Sequence, residues 1–259
     1  MADPVLSKEP VFVFGARVSG PHRESSAAVA QRFHAAEPTV AEGRTGNAYA
    51  IPHRGANGKM LTPSMLSNHV QAFRRYAAGN GSTAFQIVRF GCEPDGLGDG
   101  RMSEMFRALP RNCFLPGVWQ RLLVPETPVR VLVFDPEGLL RAVAGQVSLY
   151  QYLIARRAEW RTEEFELVSV GGGFGVAATA AVARKLKARH RILGENAAYY
   201  GAQSAVAAEM KAVWFSTHLL SVANPDRTAD NSHVRMLSFA ARDGLKCEDL
   251  RLTDNTEST

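Results

Sequence analysis

The chain has 259 residues, a formal net charge of +5, 46% hydrophobic and 21% charged residues, seven histidines and three cysteines. That length and apolar content suffice for one large α/β unit or two ordinary domains, and the cationic excess favours anionic partners. No apolar run approaches the ~18–20 residues that span a bilayer. Cys92, Cys113 and Cys247 are too scattered for a zinc pattern or a disulfide framework, and no two histidines stand at i, i+4, so no metal or cofactor is expected. The opening MADPVLSKEP matches neither a secretory signal nor a transit sequence, which makes a cytoplasmic location the expectation.

In chain order, VFVF at 11–14 is a short β-run closed by Gly15, and 15–26 is a loop of small and polar residues. Ser25 or Ser26 caps a helix over 27–36. NAYAIP at 47–52 reads as a strand and HRGANGK after it as a turn. Residues 63–78 carry Met65, Leu66, Val70, Phe73 and Ala77 at helical spacing. FQIVRF at 85–90 is a strand, 91–100 a loop dense in glycine and acid, 102–108 a short helix, and CFLPG near Cys113 a last short strand. LLVPETP at 122–128, with two prolines and a polar centre, predicts a linker. Beyond it, strands are expected at 129–134, 165–170, 191–193, 218–223 and 246–252, and helices at 140–157, from the glycine turn to 186, at 201–213 and at 232–242. Strands and helices that alternate in this way require a parallel sheet with right-handed crossovers, hence a Rossmann-like domain.

The stretch richest in chemistry is FELVSVGGGFGVAATAAVARKL at 165–186. A β-run meets Gly171, Gly172, Gly173, Phe174 and Gly175 and then an Ala-rich run without a breaker. Glycines at a strand-to-helix junction let backbone N–H groups and the helix dipole face an anion, of which a nucleotide phosphate is the commonest. The spacing is G-x-G-x-G rather than the dinucleotide G-x-G-x-x-G, and the turn follows the second strand of its domain. Glu195 lies about 20 residues on, where a ribose-binding acid sits in dinucleotide folds. His22 and His53 fall on loops beside a supposed cleft in the first half, whereas His218 reads as a hydrogen-bonded core residue. Cys92 is a weak nucleophile candidate with no nameable base. Glu93, Asp95 and Asp99 read as a solvated acidic loop. The basic clusters at Arg74-Arg75, Arg156-Arg157 and 184–191 read as solvated helix faces, and Trp160, Trp214 and Phe215 as core or interface.

Two resemblances add to this reading. VFVFGARVSGPH, GNAYAIPHR and FGCEPDGLG, within 11–119, resemble a family of small phage and bacterial proteins related to macro domains. That family begins with an IFVFGSNLAGRHGAGAA-like stretch and continues with GxSYAIP and IGCGxAG. The likeness implies a macro-domain-like α/β domain that binds ADP-ribose or a related nucleotide, with Gly15, Arg17, His22, Asn47, Tyr49 and Gly91 at the ligand. The family's GAGAA turn corresponds to residues 23–27 here, and Glu93, Pro94 and Asp95 replace small residues in the second loop.

Residues 129–250 resemble the SLOG superfamily, in particular its YpsA-like and YspA-like members. The counterparts are RVLVFDPEGL, VSVGGGFGVA, the 196–205 segment and the 229–233 segment. This likeness implies binding of a nucleotide or nucleotide-derived signal at Gly171, Gly172, Gly173, Phe174, Gly175, Asn196, Tyr199, Tyr200, Asn231 and Ser232, with Tyr199 and Tyr200 placed to stack a base and Asn231 with Ser232 to cap a helix that faces a phosphate. Relatives cleave N-glycosidic bonds or bind single-stranded DNA. Ala177 stands where the superfamily carries an acid, and Ala207-Ala208 where it carries an Arg-Asn pair.

The expectation is therefore an α/β protein of two tandem three-layer domains. A macro-domain-like domain spans 1–121, a linker 122–128, a SLOG-like Rossmann domain 129–252 and a tail 253–259. The expected function is binding of a nucleotide-derived small molecule of the ADP-ribose, cyclic ADP-ribose-like or cyclic oligonucleotide class, by a phage protein acting on host nucleotide signalling in the host cytoplasm. A homo-oligomer fits this reading, a membrane does not, and nucleic acid is not favoured. One alternative is an N-glycosidic or ADP-ribosyl hydrolase or transferase using Glu24, Glu93 or Glu195. The other is an inactive structural or nucleic-acid-associated protein.

Overall fold

A computed structural model describes residues 9–18, 25–160, 162, 164–172 and 174–252. The chain divides into two compact units, Met1–Pro125 and Glu126–Thr259. Each is an α/β unit built on one five-stranded, mostly parallel sheet. Among the described residues, no helix is long and apolar enough to cross a membrane.

The first unit runs β1 (Val11–Arg17), α1 (Ser25–His34), β2 (Gly43–Thr45), β3 (Ala48–Arg54), α2 (Pro63–Gly79), β4 (Phe85–Ile87), α3 (Gly98–Met105), β5 (Cys113–Phe114) and α4 (Gly117–Leu123). The sheet order is β2-β3-β1-β4-β5, parallel throughout except for β2, which lies antiparallel on β3. The central strands β1 and β3 are buried along nearly their whole length, as strands covered on both faces must be. Val11 and Val13 face a core formed with Leu66, Val70 and Phe73 of α2, Met102 of α3 and Trp119 of α4. On the alternate side of β1, the Phe12 ring stacks on His34 with centroids 4.6 Å apart. Helix α2 starts where Thr62 accepts a hydrogen bond from the Met65 N–H and Pro63 opens the first turn.

Several elements differ from the sequence reading. Gly15 does not close β1, which continues to Arg17 through pairing with β3. His53 is a strand residue rather than a loop residue, because β3 continues to Arg54. The strand over 85–90 ends at Ile87, and the helix expected at 102–108 begins at Gly98, whose φ of +75° makes the left-handed turn into it. Strand β2 and helix α4 were not anticipated, and α4 reaches Leu123, into the stretch expected as linker.

The second unit runs β6 (Val129–Phe134), a 3-10 turn at Leu139–Arg141, α5 (Val143–Glu159), β7 (Phe165–Val170), α6 (Phe174–Leu186), β8 (Arg189–Leu193), α7 (Ala197–Tyr200), a second 3-10 turn at Gly201–Gln203, α8 (Ser204–Phe215), β9 (His218–Ala223), α9 (Asn231–Arg242) and β10 (Lys246–Arg251). All five strands are parallel, in the order β10-β9-β6-β7-β8. The chain therefore winds outward from β6 through β7 to β8, then crosses back to β9 on the other side of β6. This reversal creates a crevice at the carboxyl ends of the strands, the place where open α/β sheets take ligands. Val129, Val131 and Val133 pack with Leu149 and Leu153 of α5 and Val182 of α6. The opposite face carries Arg130, whose guanidinium lies 4.1 Å from the centroid of the Phe215 ring on α8. Strand pairing brings Glu166 of β7 beside Arg130, and Glu166 forms ion pairs with Arg130 at 3.5 Å and Arg191 at 2.9 Å. The helix expected over 201–213 has a 3-10 turn for its first three residues and becomes α-helical only at Ser204.

Candidate functional site

A cavity of about 310 Å³ opens at the carboxyl ends of β6 and β7. Its wall brings together Phe134 and Asp135 at the end of β6, Ser169, Gly171 and Gly172 at the end of β7, and Gly175 at the start of α6. Glu195 follows β8, Glu209 comes from α8 and Ser232 from α9. Four successive crossovers thus place their loop or helix residues around one crevice.

The glycine turn is shaped by backbone requirements. Gly171 has φ +69°, a left-handed conformation that favours glycine, and its N–H donates to the Leu193 carbonyl at 3.0 Å, which ties the turn to β8. A Cβ on Gly172 would meet nothing within 4 Å, so the turn has open space there. A Cβ on Gly175 would come to 3.5 Å from the Asp135 Cβ, so α6 approaches the end of β6 closely. Phe174 opens α6, and the first N–H groups of that helix have no partner within the helix. Gly173 lies outside the described residues.

Three carboxylates share the wall, each held differently. Asp135 accepts from the Leu139 N–H at 2.8 Å and the Leu140 N–H at 3.0 Å. Burial nevertheless pushes its pKa above the ordinary aspartate value, with those backbone donors pulling the other way. Glu195 is exposed and accepts from the Ser204 hydroxyl at 2.7 Å. Glu209 is buried and fully matched by Arg235, with two bonds of 2.7 Å. Among the described residues, no lysine, arginine or histidine lines the cavity, and neither Asp135 nor Glu195 has an ion-pair partner.

Of the residues expected at a ligand in this half, Gly171, Gly172, Gly175 and Ser232 line the cavity. Asn196 caps α7, its side chain accepting from the Tyr199 N–H at 3.2 Å. Tyr199 is partly exposed and Tyr200 is buried, with their rings edge-to-face at 4.7 Å and the Lys211 ammonium 4.8 Å from the Tyr200 centroid. Tyr200 is therefore occupied in packing and offers no free ring face to a base. Asn231 is exposed at the first turn of α9. The cap of that helix is Asp230, one residue earlier than expected, accepting from the His233 N–H at 2.7 Å while the Ser232 hydroxyl donates to the same carboxylate. Sequence reasoning missed Asp135, Ser169 and Glu209. Asp135 carried a usable signal, an acid directly after the buried β-run VRVLVF, where a first-strand residue reaches the crevice.

The residues expected at a ligand in the first half have structural duties. Gly15 is buried, and a Cβ there would lie 2.7 Å from His53 Nδ1 and from the Phe90 ring. His53 is buried, and its Nδ1 donates to the Ala16 carbonyl at 3.1 Å. Asn47 donates from its amide to the carbonyls of Glu9 and Pro10. Tyr49 is buried against Phe73 and Tyr76, and burial pushes its phenol up to about 12. Gly91, at φ +69°, lies against Met60 and Met102. Arg17 is exposed, its guanidinium beside Gly58. His22 and Glu24 lie outside the described residues.

The acidic loop of this unit is not simply solvated. Arg54 grips Asp95 with two bonds of 2.7 Å and reaches Glu93 at 3.4 Å, and Arg89 pairs with Asp99 at 2.7 Å. The Cys92 thiol is pushed up by burial, aided by Asp99, which disfavours a nucleophilic thiolate. His218, at the start of β9, is a buried residue whose Nδ1 lies 2.9 Å from the Thr217 hydroxyl. Among the described residues, no cluster of His, Cys, Asp or Glu has the geometry of a metal site.

Comparison of the chain with protein-family models, with curated proteins and with solved structures gave no match.

Proposed function

We propose that the second unit binds a nucleotide-derived small molecule in the crevice at the carboxyl ends of β6 and β7. The observation that carries this reading is convergence: the glycine turn, the start of α6 and the carboxylates of Asp135 and Glu195 open on one cavity at the sheet's reversal point. In this reading the first N–H groups of α6 face a phosphate oxygen, and Glu195 and Asp135 accept from ribose hydroxyls. The resemblance of 129–250 to the SLOG superfamily and of 11–119 to macro-domain relatives supports a ligand of the ADP-ribose, cyclic ADP-ribose-like or cyclic oligonucleotide class. The phage-like kinship of the first half supports a role in host nucleotide signalling.

Thermal shift and calorimetry against NAD, ADP-ribose, cyclic nucleotides and short single-stranded DNA test the proposal. A specific small molecule at a hundredfold excess over its dissociation constant stabilises the folded state by about 2.7 kcal/mol and raises the melting temperature. Gly172→Asp directs a carboxylate into open space, so the unliganded melting temperature holds while binding falls at least ~10-fold. No shift with any small molecule refutes the proposal.

A second reading, hydrolysis or transfer at an N-glycosidic or ADP-ribosyl bond, is favoured by one observation. Two carboxylates in different environments, the half-buried Asp135 with its raised pKa and the exposed Glu195, line the same cavity. Release of free base or ribose from a bound compound, abolished in Glu195→Gln, establishes that reading in place of simple binding.

A further inference from the structure

We infer that this pocket selects nucleotides whose phosphates are bridging diesters and rejects those ending in a phosphate monoester. The inference rests on the proposed reading of the crevice as a nucleotide site and names the charge class of its ligand.

Of the three carboxylates in the wall, Glu209 is neutralised by Arg235, which leaves Asp135 and Glu195 as net negative charge. They flank the glycine turn from both sides. Glu195 Oε1 is 3.8 Å from where a Cβ on Gly171 would stand, and Asp135 Oδ2 is 3.6 Å from where one on Gly175 would stand. An anion seated on the turn is thus within a few ångströms of both carboxylates, and no described cation of the wall offsets them. The Gly171 N–H is also committed to the Leu193 carbonyl and cannot donate to a ligand. What remains for a phosphate is the start of α6, where the helix dipole supplies roughly half an elementary charge.

In so negative a wall every phosphate charge is costly, so a bridging phosphate, with one charge per phosphorus, is tolerated better than a terminal monoester, which adds a further charge with a pKa of about 6. One added charge roughly 6 Å from both carboxylates, screened as in water, weakens binding about threefold per carboxylate and about 10-fold in all. The hydroxyls of a second ribose, by contrast, give both carboxylates donors to accept from, and a cyclic nucleotide keeps its 2′-hydroxyl for one of them. The chemical class is therefore a diester-linked nucleotide, ADP-ribose or a cyclic nucleotide, in preference to ADP or AMP.

The test is calorimetry of the full chain with ADP-ribose and ADP, and with cyclic AMP and AMP, at low salt in chelator, repeated on Glu195→Gln. Gln keeps an oxygen to accept from the Ser204 hydroxyl, and the unliganded melting temperature checks that the variant is folded. Each diester is expected to bind about 10-fold tighter than its monoester partner, with the gap falling to about threefold or less in Glu195→Gln because the monoester improves. Monoesters that bind as tightly as diesters, or a gap unchanged in Glu195→Gln, overturn the inference while leaving the nucleotide site standing. Failure of all four compounds to bind overturns both.

Discussion

Replacing Asp99 tests whether the acidic loop of the first unit is a structural clamp. Its Oδ1 accepts from Arg89 Nε and from Trp119 Nε1, both at 2.7 Å, and its Oδ2 accepts from an Arg89 terminal nitrogen at 2.9 Å. Trp119 is fully buried, and only 17% of the Arg89 side chain is exposed. Burial pushes the Asp99 carboxyl up, but the Arg89 and Trp119 donors outweigh it and hold its pKa below the ordinary aspartate value. Asp99→Ala leaves one buried indole N–H unsatisfied, a cost of about 1–3 kcal/mol, and strands a cation whose full burial would cost about 3–5 kcal/mol. Because Arg89 can partly rehydrate, the expected loss is near the lower bound of the pair, about 3 kcal/mol. With a urea slope of about 2 kcal/mol/M, the first unit's midpoint falls by about 1.5 M. Trp119 is the tryptophan of the first unit and reports its transition by fluorescence, with Trp160 and Trp214 reporting the second. A double-mutant cycle with Arg89→Met should return a coupling of at least about 1 kcal/mol. A midpoint drop below about 0.5 M, or a coupling near zero, refutes the clamp.

Asp95 and a pair of glycines, one in each unit, carry two further predictions. Arg54 hydrogen bonds hold the Asp95 carboxyl down at about 2. Its contribution to stability is therefore present above the unfolded aspartate pKa of about 3.9 and fades as pH falls through about 2. Asp95→Asn should be less stable than the parent at pH 6, with the difference shrinking between about pH 4 and 2, as read from urea midpoints across that range. A difference independent of pH contradicts the assignment. Gly15→Ala forces a Cβ to 2.7 Å from His53 and Phe90, whereas Gly172→Ala meets nothing within 4 Å. The first should cost about 1–3 kcal/mol and the second leave the melting temperature nearly unchanged, and equal effects would contradict the packing described here.

The parts of the fold legible in the sequence are those whose signal is local. VRVLVF and FELVSV are strands because continuous β-type apolar runs suit a sheet covered on both faces, and β6 and β7 have the expected bounds. Helix α2 was readable from its 3.6-residue periodicity and Pro63. What was not legible depends on partners distant in the chain. The three residues of β2 form a strand only because β3 offers an antiparallel edge, and α4 is fixed by burial of Trp119 beneath the Asp99 clamp. His53 looked like a loop residue because the residues after it read as a turn, whereas pairing of β3 with β1 continues to Arg54. Asp135 and Glu209 were missed for a related reason. They are separated by most of the second unit and meet only after the sheet reverses.

Glycines show the limit most clearly, because the residue type is the same in both units and its surroundings are not. Gly15 and Gly171 each follow an apolar β-run, and both read as places where a ligand approaches bare backbone. At three glycines of the first unit the space a side chain would fill is taken by the protein itself: His53 and Phe90 at Gly15, Met60 and Met102 at Gly91, and the backbone of Gly91 at Gly96. Those glycines permit close packing. In the second unit the space at Gly172 is empty and opens on a cavity. The distinction lies in what a Cβ would meet, a three-dimensional property that spacing does not encode. It sets the crevice of β6 and β7, where Gly172 leaves room for a ligand, apart from Gly15, Gly91 and Gly96, where glycine is what allows the protein to close on itself.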